Sequence, residues 1–311
     1  MLAKKRRFCE LRKVSQIVNS ETPNAAKKTK KNEKSGYSAA NRPNKPARSV
    51  QSHKPDLPEA AVRARSGLLL YGAHPVMAAL SNPDRDCVHL FATEEAADKL
   101  SELSVQNLPP LTLLSRPQLD QMLKSKGADG AASPHQGLVL QARPLDQPDL
   151  SDLLHQLDQG PAARRFLILE QVTDPRNIGA ILRSARAFGT DALILTSRHA
   201  PDETGALAKA AAGALEDVPL VRVNNLARAL DALKEHFVTL AGLEAGADTD
   251  IKALADTRHL GLVIGSEGSG LRRLTREACD VMAAIDMADT SESLNVSVAA
   301  AIALYATRFE G

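Results

Sequence analysis

The chain has 311 residues, with 39 Lys and Arg against 37 Asp and Glu, three cysteines and no tryptophan. That length holds one large domain or two ordinary ones. It contains no apolar run long enough to span a membrane as a helix, and its first residues lack the apolar core of a signal peptide.

The near-neutral total hides an uneven distribution. Residues 1–65 hold 17 basic and 5 acidic side chains, a net of +12, and residues 66–311 hold the remaining 22 and 32, a net of −10. The runs "KKRR", "KKTKKNEK" and "NRPNKPARS" carry few large apolar residues. Such a segment cannot bury enough surface to offset its ordering entropy, so residues 1–65 are expected to be a disordered basic tail. A solvated tail without a role is one reading. Attraction to nucleic acid is the sharper one, because lysine clusters neutralise phosphates without reading sequence. Cys9, Cys87 and Cys279 lie far apart, with neither metal spacing nor a disulfide framework. That usage suits a reducing cytoplasm, and no metal is expected. Cys279 falls in a helical pattern and reads as a small buried residue.

Order is expected from about Gly67. "LLLYGAHPVMAAL" reads as strand, turn at Gly72 and helix; "CVHLFAT" as a strand; "EEAADKLSEL" as a helix. "LTLLS", "RPQLDQMLKSKG" and "GLVLQARPL" follow as strand, helix and strand. The alternation makes residues 66–145 a small α/β domain. Residues 146–162 are polar with Pro and Gly and read as a linker holding a helical turn or two. Residues 163–311 open with the apolar strand "FLILE". The helix "DPRNIGAILRSARAFG" comes next, with Asp174 as cap, Pro175 at its first position and Gly189 past its end. "ALILT", "PLVRV", "FVTLAGL", "LGLVIGS" and "VMAAIDM" alternate with helical patterns, and "SLNVSVAAAIALYATRF" closes the chain. Apolar strands without polar alternation point to a parallel sheet covered on both faces.

Three segments place polar residues at the ends of such strands or the starts of helices. Asn177 and Arg183 lie on the helix after "FLILE". Gly265, Gly268 and Gly270 surround Glu267 in "GSEGSG". Ser293 and Asn295 open the last helix. The glycine loop is not a phosphate-cradling loop, because Leu271 and Arg272 follow its last glycine where Lys and Ser or Thr are needed. It is not the dinucleotide fingerprint either, because its spacing is G-x-x-G-x-G and it comes late in the chain. Glu267 would repel a pyrophosphate and suits a ligand with positive charge or donor groups. Each residue also has a plain structural reading: Asn177 or Ser293 as caps, Arg183 paired on the surface, Glu267 solvated and the glycines serving a turn. Together they fall where open parallel sheets bind ligands.

"NIGAILRSARAFG", "LVIGSEGSGL" and "SLNVSVAAAIALY", in that order, resemble the three motifs of the SpoU/TrmH class of RNA 2′-O-ribose methyltransferases in the SPOUT superfamily. "LLYGAHPVMAAL" and "HQGLVLQARPL" look like the start and end of the ribosomal-protein-L30-like RNA-binding domain found in some members. "GALEDVPLVRVNNLARALDAL" resembles the branch that methylates guanosine in 23S rRNA. The resemblance covers residues 67–309. It implies an α/β fold whose C-terminal segment forms a trefoil knot, S-adenosylmethionine as cofactor, RNA as partner, and a homodimer with a shared active site. It places Gly265, Ile285 and Leu294 against the cofactor and Arg183 at the catalytic position. Asn177 would orient RNA or Arg183, Glu267 would shape the pocket, and Ser293 and Asn295 would position ribose and cofactor. Asp286 departs from the family, which usually has Pro there. His74 and His135 fall in the other domain, where structural or RNA-contact roles are expected. A tRNA guanosine-2′-O-methyltransferase and a non-catalytic RNA-binding assembly factor are the alternatives.

Overall fold

The computed structural model describes residues 57–64, 67–102, 108–124, 134–159, 162–198, 200–288 and 293–308. The expectation for residues 1–56 lies outside them. Order begins earlier than Gly67. Helix α1 (Glu59–Ala64) buries Ala61 and Ala64 completely, against Leu69, Tyr71, Leu119 and Met122. Its two buried alanines sit three apart, one helical turn, so a helix places both on the core. The boundary at residue 65 is thereby corrected: residues 57–64 belong to the small domain and not to a tail.

In that domain β1 (Leu68–Tyr71), α2 (Ala73–Leu80), β2 (Cys87–Ala92), α3 (Glu94–Glu102), β3 (Leu111–Leu113), α4 (Arg116–Lys124) and β4 (Leu138–Ala142) follow in order. The sheet runs β1-β4-β2-β3, with β4 antiparallel to β1 and β2, and β3 parallel to β2. Gly72 has a φ of 94°, and the Gln136 side chain caps the helix after it by accepting from the Ala73 N–H at 2.9 Å.

The expected linker at 146–162 contains α5 (Leu150–Asp158). Asp149 and Asp152 close a capping box at its start. Leu153 and Leu157 are buried in the second domain's core with Val221 and Leu230. This helix is therefore structural, and the polar stretch before it hid a Leu pair spaced one turn apart.

The second domain contains β5 (Arg164–Leu169), α6 (Pro175–Ala187), β6 (Ala192–Thr196), α7 (Gly205–Ala211), β7 (Leu220–Val223), α8 (Leu226–Glu235), β8 (Thr239–Leu243), β9 (Thr249–Asp250), β10 (His259–Ile264), α9 (Arg273–Ala278), β11 (Val281–Ala284) and α10 (Val296–Ala306). All seven strands are parallel, in the order β7-β6-β5-β10-β8-β11-β9. The two-residue β9 and the short turn at Ile251–Leu254 carry too little periodicity to be read from sequence.

Arg165 fixes the lower edge of this sheet. Its buried guanidinium donates to the carbonyl oxygens of Thr307 (2.8 Å), Arg258 (3.0 Å), Ala255 (3.0 Å) and Arg164 (3.1 Å). The end of α10 is thus tied to the entry of β10. Strand β11 lies beyond β8 as seen from β10, yet α10 packs on α6 and touches β10. The chain returns past two strands, and the expected knot depends on that crossing.

A chain shortened to start at Gly67 loses α1 from the core. Its thermal midpoint should fall below that of a chain starting at Leu57, by the equivalent of about 1–2 kcal/mol of lost methyl burial. Equal midpoints in scanning calorimetry would show that α1 adds nothing.

Candidate active site

Strands β5 and β10 are neighbours, but the segments after them diverge: α6 leads toward β6, and residues 265–272 lead to α9. A crevice opens at such a divergence, on the carboxyl ends of the strands. Asp174 starts α6 by accepting from the Arg176 N–H at 2.9 Å, with Pro175 at the first position. This puts Asn177 in the first turn, at the crevice.

The glycine loop is a backbone device. Ser266 and Gly270 form a bridge, closed by the Gly270 N–H on the Ser266 carbonyl at 3.0 Å. Gly268 and Gly270 have φ values of 96° and 63°. At Gly265 a Cβ would lie 2.1 Å from the Gly270 carbonyl carbon, so no side chain is tolerated there. A buried carboxylate anchors the loop's far end. Glu170, the first residue after β5 and only 5% exposed, accepts from the Arg272 N–H at 2.8 Å and the Thr275 hydroxyl at 2.6 Å. Its own N–H donates to the Ile264 carbonyl at 2.8 Å, at the end of β10.

The last helix supplies the third wall. Asn295 is its N-cap: Asn295 Oδ1 accepts from the Ser297 N–H at 2.9 Å and the Ser297 hydroxyl at 2.6 Å. Ser293 therefore lies ahead of the cap. With its oxygen so occupied, Asn295 turns its amide nitrogen toward Asn177 Oδ1 and Glu267 Oε2, each at 3.4 Å. One amide thus joins all three sequence motifs.

Beside this junction is a cleft of about 440 Å³, within the range of small-molecule and cofactor sites. Gly265, Glu267, Ile285, Ser293 and Leu294 line it, all singled out in the sequence. Leu243, Glu244 and Met287 line it too, and sequence reasoning missed them. Glu244 follows β8 and pairs with Arg276 at 2.7 Å. Ile285 and Met287 face the cleft, while Asp286 between them is exposed and outside its lining. Asp286, where the family resemblance implies Pro, thus places no carboxylate in the wall. Arg183 stands apart. It is exposed, does not line the cleft and sits roughly 120° around α6 from Asn177. Among the described residues its guanidinium has no partner. Glu170 left one signal in the sequence: a carboxylate ending an otherwise apolar strand.

The remaining candidates have structural surroundings. His135 is buried, its Nδ1 accepts from the Gly137 N–H at 3.0 Å, and burial holds its pKa down. Burial pushes the Cys279 thiol up to about 11, so it is no nucleophile. Among the described residues no cluster of His, Cys, Asp and Glu could hold a metal, and no helix is long and apolar enough to cross a membrane.

Residues 164–305 match the SpoU rRNA methylase family, and residues 69–148 match the substrate-binding domain of RNA 2′-O ribose methyltransferases. The chain is 40% identical over 248 residues to the 23S rRNA (guanosine-2′-O-)-methyltransferase RlmB of Vibrio cholerae, covering 77% of this chain and 96% of that one. The corresponding RlmB of Escherichia coli K12 is 38% identical over 245 residues, covering 76% and 96%. The chain belongs to the SpoU family. As a SpoU protein that also carries the substrate-binding domain, it is an RNA 2′-O-ribose methyltransferase. The crystal structure of the SpoU methyltransferase AviRb from Streptomyces viridochromogenes in complex with AdoMet is 25% identical. It superimposes with a TM-score of 0.63 over 79% of this chain and 91% of that one. The AdoMet-bound rRNA methyltransferase of Sinorhizobium meliloti shares the fold at 18% identity, with a TM-score of 0.64 over 80% and 94%.

Replacing Glu170 by Ala leaves the Arg272 N–H and the Thr275 hydroxyl without their acceptor, at a cost of about 1–3 kcal/mol. Amide exchange over residues 265–276 should accelerate in this variant while β6 and β7 stay protected. Unchanged exchange in the loop would show that Glu170 does not hold it.

Proposed function

We propose that the protein transfers a methyl group from S-adenosylmethionine to the 2′-hydroxyl of a guanosine in 23S rRNA. The observation that carries this reading is the cleft at the carboxyl ends of β8, β10 and β11, whose glycine loop is joined through Asn295 to Asn177 on α6. The residues suit the cofactor. Leu243, Ile264, Ile285 and Leu294 offer apolar walls to a flat base, the loop admits close backbone approach, and Glu244 and Glu267 favour a cation. Guanosine in 23S rRNA is supported by the RlmB relatives, which share both domains over nearly their whole length. A tRNA enzyme of this class would not need the domain at 69–148, and a non-catalytic factor would not need the joined motifs. A cytoplasmic location is part of this reading, supported by the proposed ribosomal substrate.

When bound, S-adenosylmethionine supplies an electrophilic methyl group on a sulfonium centre. The chain's task is to hold the ribose in line with it and to stabilise charge on the 2′ oxygen. Asn295 keeps the loop and α6 in register while its neighbour Ser293 offers a hydroxyl at the cleft. Glu267 gives the cationic centre a counter-charge. Arg183 has no acceptor atom and stays protonated, which makes it a poor base. It holds the adjoining phosphate and the developing alkoxide, a role that its unpaired guanidinium fits.

Arg183 lies outside its own cleft, which supports a site completed by a second copy that brings it to the ribose. The last helix provides a surface for this. Val298, Ile302 and Tyr305 are 45%, 37% and 54% exposed, at helical spacing along one face of α10, which packs beside α6. We read that stripe as the centre of a homodimer. In the small domain, residues 57–145 select the RNA, and the basic segment upstream adds salt-sensitive affinity without choosing the nucleotide.

Arg183→Ala should lower methyl transfer by about a hundredfold or more while S-adenosylmethionine affinity by calorimetry stays near wild type. Lysine should rescue poorly, since one ammonium lacks the planar two-pronged contact. Near-normal turnover in Arg183→Ala would remove the assigned role. Ile302→Arg should convert a dimer to a monomer in sedimentation and abolish turnover with it. A wild-type monomer with full activity would refute the shared site.

A further inference from the structure

We infer that Arg85 is a positioning residue that locks the RNA-binding domain onto the helix carrying Asn177 and Arg183. This rests on the function proposed above, and it concerns how the RNA is presented rather than which reaction follows.

Arg85 lies in the turn after α2, and its side chain is 0% exposed. It reaches out of the small domain to two carboxylates of the SpoU domain that are themselves 6% and 5% exposed, Glu203 and Glu216. Nη1 donates to Glu203 Oε2 at 2.9 Å and to the Arg143 carbonyl at 2.8 Å. Nη2 and Nε donate to Glu216 Oε1 and Oε2 at 2.7 and 3.1 Å, a two-pronged contact. The carboxylates are further saturated from the small-domain side. Asn82 Nδ2 donates to Glu216 at 2.8 Å, and the Leu145 N–H donates to Glu203 at 3.2 Å. Both carboxylates reinforce the charge of the guanidinium and raise its pKa against the pull of burial. A planar fork held on two sides fixes rotation as well as distance. Apolar side chains of the same volume could give equal stability, so orientation is what this arrangement adds.

The grip reaches the active site through α7. Glu203 immediately precedes its N-cap Thr204, and Glu216 lies in the turn after it, so Arg85 holds both ends of that helix. On one side α7 meets β1: at Gly205 a Cβ would fall 2.4 Å from the Leu69 carbonyl oxygen. On the other side it meets α6: at Gly179 a Cβ would fall 2.5 Å from Ala210 Cβ and 2.6 Å from the Leu207 carbonyl oxygen. Gly179 stands between Asn177 and Arg183. Backbone contacts this close transmit displacement with little slack. RNA seated on the small domain therefore meets α6 at a set offset, and Arg85 sets it.

The test uses the full chain with rRNA transcribed in vitro. In the triple variant Arg85→Met/Glu203→Gln/Glu216→Gln no charge is left buried, and in Arg85→Lys one ammonium cannot grip both carboxylates. S-adenosylmethionine affinity should match wild type in both, and kcat should stay within about threefold. KM for RNA should rise about tenfold or more in the triple variant and by a smaller factor in Arg85→Lys. A folded triple variant with KM within about twofold of wild type would overturn the proposal. If the triple variant does not fold, Arg85→Lys decides by the same KM criterion. Absence of methyl transfer by the wild type would instead sink the functional reading, and the two failures are told apart by that control.

Discussion

One buried carboxylate organises the catalytic edge of this protein. Where β5 and β10 part, nothing in the sheet's own hydrogen bonding holds the two outgoing segments together, and a glycine-rich loop on its own would sample many shapes. Glu170 removes that freedom. Its backbone is still paired to the end of β10, and its side chain takes a backbone N–H and a hydroxyl from the far side of the loop. The loop is pinned at both ends, and the inner approach of Gly265 to Gly270 becomes its settled conformation. The cleft, the Asn295 junction and the orientation of Glu267 are downstream of that anchorage.

The molecule separates rigid and open parts by chemistry. Contacts that must not move are made between backbones at glycines or by saturated buried charges, as at Gly179, Gly205, Arg165 and Arg85. Groups proposed to meet a ligand are left partly unsatisfied. Arg183 has no partner among the described residues, and the Asn295 contacts at 3.4 Å are long. Long, weak contacts at the cleft leave polar groups available, whereas the charged side chains that brace the scaffold, Arg85, Arg165 and Glu170, are paired.

Much of the fold was legible because its signals are local. Asp174–Pro175 at the start of α6 and the unbroken apolar runs of β5, β6 and β10 each follow from neighbouring residues. The three motifs could be recognised for the same reason. What escaped was non-local or too short. The helix α1 and the helix at 150–158 sit in polar surroundings and owe their order to partners far along the chain. Glu170, Glu244 and Arg85 look like ordinary surface charges until the fold buries or aligns them. Which of Ser293 and Asn295 caps the last helix could not be read from the sequence, since both are good cap formers and only geometry picks Asn295. That Arg183 would fall outside the cleft was likewise invisible, because the angle between two residues on a helix does not say where the ligand lies.

The tie between Arg165 and the Thr307 carbonyl has a consequence for the protein's birth. Ser293, Leu294 and Val296 form one wall of the cleft, and the helix that begins there is held by its packing on α6 and, at its far end, by the guanidinium. Synthesis delivers the small domain before the segment that completes the cleft. A nascent chain therefore holds a folded RNA-binding domain before it holds a cofactor cleft. Until the segment at residues 293–296 has emerged and folded, the small domain is formed but the cleft lacks a wall.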